Sequence, residues 1–436
     1  MNKQNTPLFK TVDIISLGCS KNLVDSERLM AQLKANNIRV EHDPEKPHGE
    51  VVVINTCGFI GDAKEESVDT ILQFASLRKK GKIKRLYVMG CLSQRYKTDL
   101  EASIPEVDKY YGKFDWNGII SEIGATYRRD IMSERTITTP SHYAYLKISE
   151  GCNRMCSYCA IPLITGKHTS RPMEDILAEV EHLVSCGVRE FQIIAQDLSS
   201  YGTDLYKENK LAQLIDKIAQ IKGVEWIRLH YAYPAGFPKD ILPVMAKHDN
   251  ICKYIDLALQ HISDHMLSIM RRRITKQQTI DLLSEIRQQV PDIHIRTTFI
   301  TGHPGETEAD FNELIQFIKE TRFERLGVFP YSHEEDTYSF KNYTDDIPDE
   351  VKQQRAEQIM ALQSEISQEI NYSKIGKTLK VIIDREENGQ YVGRTQYDSP
   401  EVDPEVVIST NKIMQIGNMY EVLITAADEY DLEAKY

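Results

Sequence analysis

YAYLKISEGCNRMCSYC, residues 143–159, decides how this chain is read. Its opening, YAYLKIS, is a short apolar run with the composition of a strand. Its second half sets Cys152, Cys156 and Cys159 at the spacing CxxxCxxC. Three thiolates on one tight loop are one short of the four that close an all-cysteine iron–sulfur cluster. A 4Fe–4S group held by three cysteines keeps one iron open to a small ligand. The competing zinc reading favours paired CxxC units or added histidines. None of the 12 histidines stands at such a spacing.

Moving toward the amino terminus, a second cysteine set repeats one pattern. Cys19 ends TVDIISLGC, Cys57 ends EVVVINTC and Cys91 ends RLYVMGC. Each follows a β-branched apolar run, and polar, helix-like segments such as NLVDSERLMAQLKANN and DAKEESVDTILQFASL come after them. That βα repeat predicts a parallel sheet covered by helices. Ligand crevices in such sheets lie beyond the carboxyl ends of the strands, so the three cysteines should converge in space. One reading makes them buried structural cysteines, since free cysteine packs well. The other makes them a second three-cysteine cluster with an open iron. Cys186 and Cys252, in a helix pattern and before a strand, have the neighbours of small core residues, and packing is expected of both.

Moving toward the carboxyl terminus, strand-like runs recur as EFQIIAQ, WIRLHYA, YIDLALQ, IHIRTTFI and RLGVFPY, with helical patterns between them. With YAYLKIS that makes a (β/α)6 series, too short to close an eight-stranded barrel, so an open partial barrel is expected. A charged helix with Pro348 near its first turn follows. The alternating segments after it, LKVIIDREENGQYVGRTQY among them, suggest a small antiparallel, OB-like β-barrel. The fold class expected is α/β, with three parts: an α/β domain over residues 1–135, the partial barrel and connecting helix over 136–372, and the small barrel over 373–436.

The chain has 436 residues and eight cysteines, with a net charge of −12. No apolar run approaches the ~20 residues of a membrane span, so no membrane partner is expected. The start, MNKQNTPLFK, lacks the apolar core of a secretion signal, which leads us to expect a cytoplasmic protein. A strongly acidic chain is poorly suited to gripping a nucleic-acid backbone.

The cysteine loop, with Tyr158 before its last thiol, resembles the radical S-adenosylmethionine superfamily. The whole order of parts resembles the methylthiotransferase family within it, and its ribosomal-protein branch more than its tRNA branch. The matching stretches are LGCSKNLVDSE (17–27), INTCGFIGDAKEES (54–67), AQDLSSYG (195–202), LALQHISDHMLSIMRR (257–272), FITGHPGETEADF (299–311), YSHEEDT (331–337) and DSPEVDPEV (398–406). The terminal barrel resembles a TRAM domain.

The resemblance implies two 4Fe–4S clusters, one on Cys19, Cys57 and Cys91 and one on Cys152, Cys156 and Cys159. The second would bind S-adenosyl-L-methionine and cleave it to a 5′-deoxyadenosyl radical. It also implies transfer of a methylthio group to the β-carbon of an aspartate in small-subunit ribosomal protein twelve, free or within the ribosomal subunit. A reductant such as flavodoxin or ferredoxin and a sulfur donor would be required. The family often carries an arginine where this chain has Thr165, and no arginine role passes to that residue.

Contacts to S-adenosylmethionine are expected from Tyr158, Gln196, Asp197 and Gln260, since strand ends feed such sites. No acid–base side chain is expected to be catalytic, because an unactivated C–H bond offers no acidic proton. GHPGE (302–306) reads as a structural turn. The run Arg271–Arg273 reads as a helix end favoured by the dipole. Two other functions compete: a tRNA methylthiotransferase, and an iron–sulfur carrier or scaffold, which would usually close its clusters with a fourth cysteine. From Asn371 onward there are 7 basic and 12 acidic residues. Such a barrel should repel tRNA, leaving no direct tRNA substrate, and should attract a basic protein loop through Glu401, Asp403 and Glu405.

Overall fold

The structure, a computed structural model, describes residues 8–131 and 133–436. The first seven residues of the stretch read for a leader lie outside the described residues.

The first sheet has five parallel strands: β1 (Thr11–Ser16), β2 (Arg39–His42), β3 (Val51–Thr56), β4 (Arg85–Gly90) and β5 (Lys109–Tyr110), in the order β2-β1-β3-β4-β5. Alternation puts Val51 and Val53 in the core on one face, with Leu29 and Leu33 of α1 (Ser20–Lys34). Val52 and Ile54 face the other way, onto Ile71 and Phe74 of α2 (Gly61–Lys79). Helices on both faces and this strand order make a doubly wound sheet with its switch point between β1 and β3. Cys19 and Cys57 follow those two strands. Cys91 begins α3 (Cys91–Ser103) directly after β4.

The second sheet is a six-stranded parallel array in chain order, β6 (Tyr143–Lys147), β9 (Glu190–Ile194), β10 (Trp226–Ala232), β11 (Ile251–Gln260), β12 (His294–Thr301) and β13 (Arg325–Pro330). It is the open partial barrel expected. A short antiparallel ribbon, β7 (Ser149–Glu150) with β8 (Thr169–Ser170), closes the base of the cysteine loop. The long helix Asp349–Tyr372 starts after Pro348 and buries Ile359 and Ile366 in the core of this sheet.

The terminal strands, β14 (Thr378–Glu387), β15 (Gln390–Thr395), β16 (Val406–Ser409), β17 (Met419–Ala427) and β18 (Leu432–Lys435), close a barrel in the order β14-β15-β16-β18-β17. The expected antiparallel pairing holds everywhere except between β16 and β18, which run parallel. Because β18 returns beside β16 instead of hairpinning onto it, closure requires that one parallel pair.

The structure departs from the sequence expectation at the acidic run and at Cys186. The acidic run does not form a free docking face. Asp398 accepts from Arg325 Nη2 at 2.6 Å, and Asp403 lies 3.3 Å from Arg296 Nε. The Glu401 oxygens accept the Tyr143 and Tyr145 hydroxyls at 3.0 Å each, while Glu405 pairs with Arg385 of its own barrel. Basic residues on the central strands pair with Asp398 and Asp403, and other groups of the same chain occupy Glu401 and Glu405, which a regional charge count cannot register. Beneath it, fully buried Glu190 of β9 accepts from Arg394 Nη2 of the barrel at 2.8 Å and from Arg228 at 3.1 Å. Cys186 is exposed, just past the helix Met173–Ser185, and does not pack in the core. Cys252 does, against Trp226, Tyr254 and Ile382. Among the described residues no helix is long and apolar enough to cross a membrane.

Candidate active site

The cysteine loop leaves β7 through Gly151, whose φ is +76° and where a Cβ would lie 2.2 Å from the Lys167 carbonyl oxygen. Only glycine fits that approach. The Cys152 amide then donates to the Gly166 oxygen, and the Cys159 amide to the Cys156 oxygen. Ser157 anchors the middle of the loop: its amide donates to Met270 O at 3.0 Å, and its hydroxyl meets His303 Nε2 at 3.1 Å. The loop is thereby fastened to the end of the helix Asp264–Ile269 and to the turn that follows β12. Burial pushes the Cys152 thiol up to about 11 and the Cys159 thiol higher still. Thiols so placed are poor anions until a bound cation offsets their charge.

The run Arg271–Arg273 does close a helix, Asp264–Ile269, with the Arg271 and Arg272 amides donating back to Ser268 O and Leu267 O, but the helix dipole does not account for the Arg272 side chain. Arg271 and Arg273 both take left-handed φ (57° and 55°), which turns the side chain between them inward. Arg272 is buried and its Nη1 donates to Cys156 Sγ at 3.2 Å and to the Tyr158 hydroxyl at 3.1 Å. Its guanidinium lies 4.2 Å from the Tyr233 ring centroid, and Arg154 lies at the same distance from that ring. No periodicity signals such a residue, because its direction depends on two unusual backbone angles.

The strand-end residues sit where the partial barrel predicts. Asp197 accepts from Arg154 Nε at 2.7 Å, tying the cysteine loop to β9, while its other oxygen, Oδ1, is buried without a partner. Gln196 donates to Glu150 and leaves Oε1 buried and unmet. Gln260, with φ +73° at the end of β11, also has a buried unpartnered Oε1. Buried acceptors left without donors are costly, and three around one loop mark a place for a ligand bearing N–H groups. Tyr158 is half-buried, its ring edge-on to His303. The GHPGE turn is structural: Glu306 caps the Gly302 amide and is gripped by Arg355. His261, which follows Gln260, is also structural, bonded to Glu306 and to the amides that follow it. Thr165 spends its hydroxyl on the Ile161 oxygen of its own helical turn.

The first triad is built by short contacts between strand ends. Gly18 has φ +87°, and a Cβ there would lie 2.9 Å from Cys57 Sγ. Asn22 holds the arrangement from α1, donating to Leu17 O and Thr56 O, with its Oδ1 3.6 Å from Cys91 Sγ. Cys19 and Cys91 lie at helix starts, where free amides and the dipole favour negative charge. Burial raises the Cys57 thiol and lifts that of Cys91 to about 12. At Cys19 the crowded cleft acts in the same direction, but Lys21, the Asn22 amide and Lys113 outweigh it and lower the pKa.

The two triads share a wall. Cys91 packs against Ala160 and Ile164, the residues just past Cys159. Below them Glu150 accepts from Lys113 at 3.0 Å and pairs with Lys147 at 2.8 Å, joining the two sheets. Among the described residues no three His, Cys, Asp or Glu side chains converge tightly enough for a single metal ion. The donor chemistry fits 4Fe–4S groups instead: three soft thiols at each place, basic residues beside them, and the two remaining cysteines elsewhere.

Comparison with known proteins adds three family matches: the radical SAM superfamily over residues 146–318, uncharacterized protein family UPF0004 over 11–112, and the TRAM domain over 375–436. The chain is 61% identical over 425 residues to the ribosomal protein uS12 methylthiotransferase RimO of Phocaeicola vulgatus, covering 97% of this chain and 98% of that protein. It is 52% identical over 422 residues to the protein of the same name from Cytophaga hutchinsonii, covering 97% and 96%. Among solved structures it resembles the radical S-adenosylmethionine methyltransferase TsrM of Kitasatospora setae, with a TM-score of 0.55 at 14% identity over 73% of this chain and 72% of that one. At that identity the likeness is one of fold.

Proposed function

The chain belongs to the ribosomal protein uS12 methylthiotransferase family, RimO, and is a radical S-adenosylmethionine transferase; from that premise we propose how its residues divide the work. The acceptor is the β-carbon of an aspartate in ribosomal protein uS12. Cys152, Cys156 and Cys159 hold one 4Fe–4S group and Cys19, Cys57 and Cys91 a second. When bound, the former supplies an electron to S-adenosylmethionine and the latter a place to carry sulfur. A flavodoxin- or ferredoxin-type reductant and a sulfur donor complete the requirement. The division into 1–135, 136–372 and 373–436 assigns one cysteine set to each of the first two parts and none to the third.

The chain's own groups bind and orient. Asp197 Oδ1, Gln196 Oε1 and Gln260 Oε1 offer acceptors to the amino and hydroxyl groups of S-adenosylmethionine, and the half-buried Tyr158 ring offers an apolar face. Arg272 keeps a positive charge against Cys156 and fixes Tyr158. No side chain is asked to remove the aspartate β-hydrogen as a proton, since that C–H is not acidic enough near neutral pH. The cleft walls exclude water from a reactive carbon radical.

The observation that supports this reading is the shared wall of the two triads, Cys91 against Ala160 and Ile164, which sets the thiols assigned to sulfur delivery next to those assigned to radical formation. The test is to count iron and sulfide anaerobically and to measure 5′-deoxyadenosine and methylthio product. Cys156→Ala should lose 5′-deoxyadenosine formation. Cys57→Ala should keep it and lose methylthio product. Methylthio product from Cys57→Ala would refute the sulfur-carrying role of the first triad.

A further inference from the structure

The basic groups of the cleft are nearly all spoken for. Lys113 meets Glu150, Lys147 meets Asp25 and Glu150, Arg154 meets Asp197, and Arg272 meets Cys156. Lys21 is different. It stands on the first turn of α1, two residues past Cys19, and is only 8% exposed. Among the described residues no carboxylate lies within ion-pair distance of it. Its Nζ rests 3.3 Å from the centroid of the Tyr231 ring, and Tyr231 is held at φ +62°, a left-handed conformation unusual for tyrosine. Asp256, the carboxylate that faces it from β11, is turned toward Arg296 at 3.7 Å. Besides the Tyr231 ring, the ammonium faces the Cys19 thiol, and a desolvated ammonium with a ring face and one thiol for company still has donors to spare.

We propose that Lys21 receives the β-carboxylate of the acceptor aspartate, an assignment that rests on the function proposed above. The carboxylate of an aspartate is bonded to the carbon that reacts. A cation gripping it fixes that carbon to within a bond length, which is the positioning a hydrogen abstraction followed by sulfur transfer requires. Lys21 is placed for this on the first-triad side of the cleft, facing the barrel strand that carries Tyr231. The same ammonium also gives the site a means of choosing aspartate over asparagine. A neutral amide would leave the buried charge unpaired, and such a site rejects the mismatched side chain strongly.

The experiment uses the reconstituted holoenzyme and two peptides spanning the acceptor loop of uS12, one with the acceptor aspartate and one with asparagine there. Binding is read by fluorescence anisotropy and product by mass spectrometry, for wild type, Lys21→Met and Lys21→Arg. Wild type should bind the aspartate peptide more tightly by roughly 10- to 100-fold, the worth of a charged hydrogen bond. Lys21→Met should bind both peptides alike while retaining its full iron and sulfide content, and Lys21→Arg should recover part of the discrimination. Undiminished discrimination in Lys21→Met would overturn the assignment. So would loss of iron in that variant, which would make Lys21 a counter-charge to the first triad. Absence of product from wild type on the aspartate peptide would refute the proposed function, and this assignment with it.

Discussion

Glu190→Gln should unfasten the terminal barrel from the central sheet. In the native protein the Glu190 carboxylate is fully buried, and its oxygens accept from Arg394 at 2.8 and 3.1 Å and from Arg228 at 3.1 Å. Burial alone would raise its pKa, but Arg394 and Arg228 outweigh burial and hold it at about 2. Against an ordinary 4.5 the depression corresponds to about 3 kcal/mol of stability. Removing one member of a buried ion cluster costs about 3–5 kcal/mol. The lower end applies here, because Arg394 keeps Asp384 and Arg228 keeps the Gln396 carbonyl. Trp226 reports the event, since with Cys252 and Tyr254 of its own sheet it packs against Ile382 of the terminal barrel across this seam. Urea unfolding followed by its fluorescence, in a Trp116→Phe background, should show the variant about 3 kcal/mol weaker near pH 7. A group with a depressed native pKa stabilises above its unfolded pKa and loses that stabilisation as pH falls toward the native value. More than half of the difference should therefore vanish by about pH 3. A loss below about 1 kcal/mol at neutral pH, or one that does not shrink on acidification, would refute the reasoning.

Gly151→Ala forces a Cβ to 2.2 Å from the Lys167 oxygen at φ +76°; the reconstituted chain should bind roughly half the wild-type iron while its circular dichroism is unchanged, and full iron loading would show that the loop can yield. Arg272→Met withdraws a positive charge 3.2 Å from Cys156 Sγ. The reduction midpoint of the group on that loop should fall, by ~60 mV if the lost bond differs by ~1.4 kcal/mol between the two redox states, and an electron-paramagnetic-resonance titration with an unmoved midpoint would sink the idea. Asp403→Lys sets a cation beside Arg296 in the seam and should cost about 2 kcal/mol or more in the Trp226 assay. Glu405→Lys disturbs only the more exposed pair with Arg385 and should cost under about 1 kcal/mol; equal effects would contradict the clasp.

Strand positions were legible because apolar runs with turn signals are local, and all six central strands lie where their sequences predict. The convergence of Cys19, Cys57 and Cys91 was legible for a related reason. A cysteine directly after a strand must lie at the carboxyl edge of a parallel sheet, so three βα units bring three thiols to one edge without any long-range information. Other features were not local. β2 and β5 are short edge strands whose pairing depends on β1 and β4 already being in place. Arg272 points inward only because its neighbours adopt left-handed angles. The acids from Asp398 to Glu405 looked like surface because their partners, Arg296, Arg325, Tyr143 and Tyr145, lie far away in sequence. Exposure of Cys186 depends on how its helix end meets the next strand, and composition does not specify that.

The same long-range charges explain why two sheets can share one cleft. Glu150 lies between them and accepts from Lys113 of the first part, Lys147 of β6 and Gln196 beyond β9. Burial would push its pKa up, yet Lys147 and Lys113 hold it well below the usual carboxylate range. Its charge is thus maintained by cations from both parts. Neither part could bury these groups alone, since unpaired buried charges are strongly unfavourable. The pairing therefore favours one docking of the first sheet on the second, with Cys91 against Ala160 and Ile164. A hydrophobic seam of similar area would hold the parts together as well, but it would tolerate sliding. Directional ion pairs do not, and the division of work proposed for the two triads requires a fixed separation.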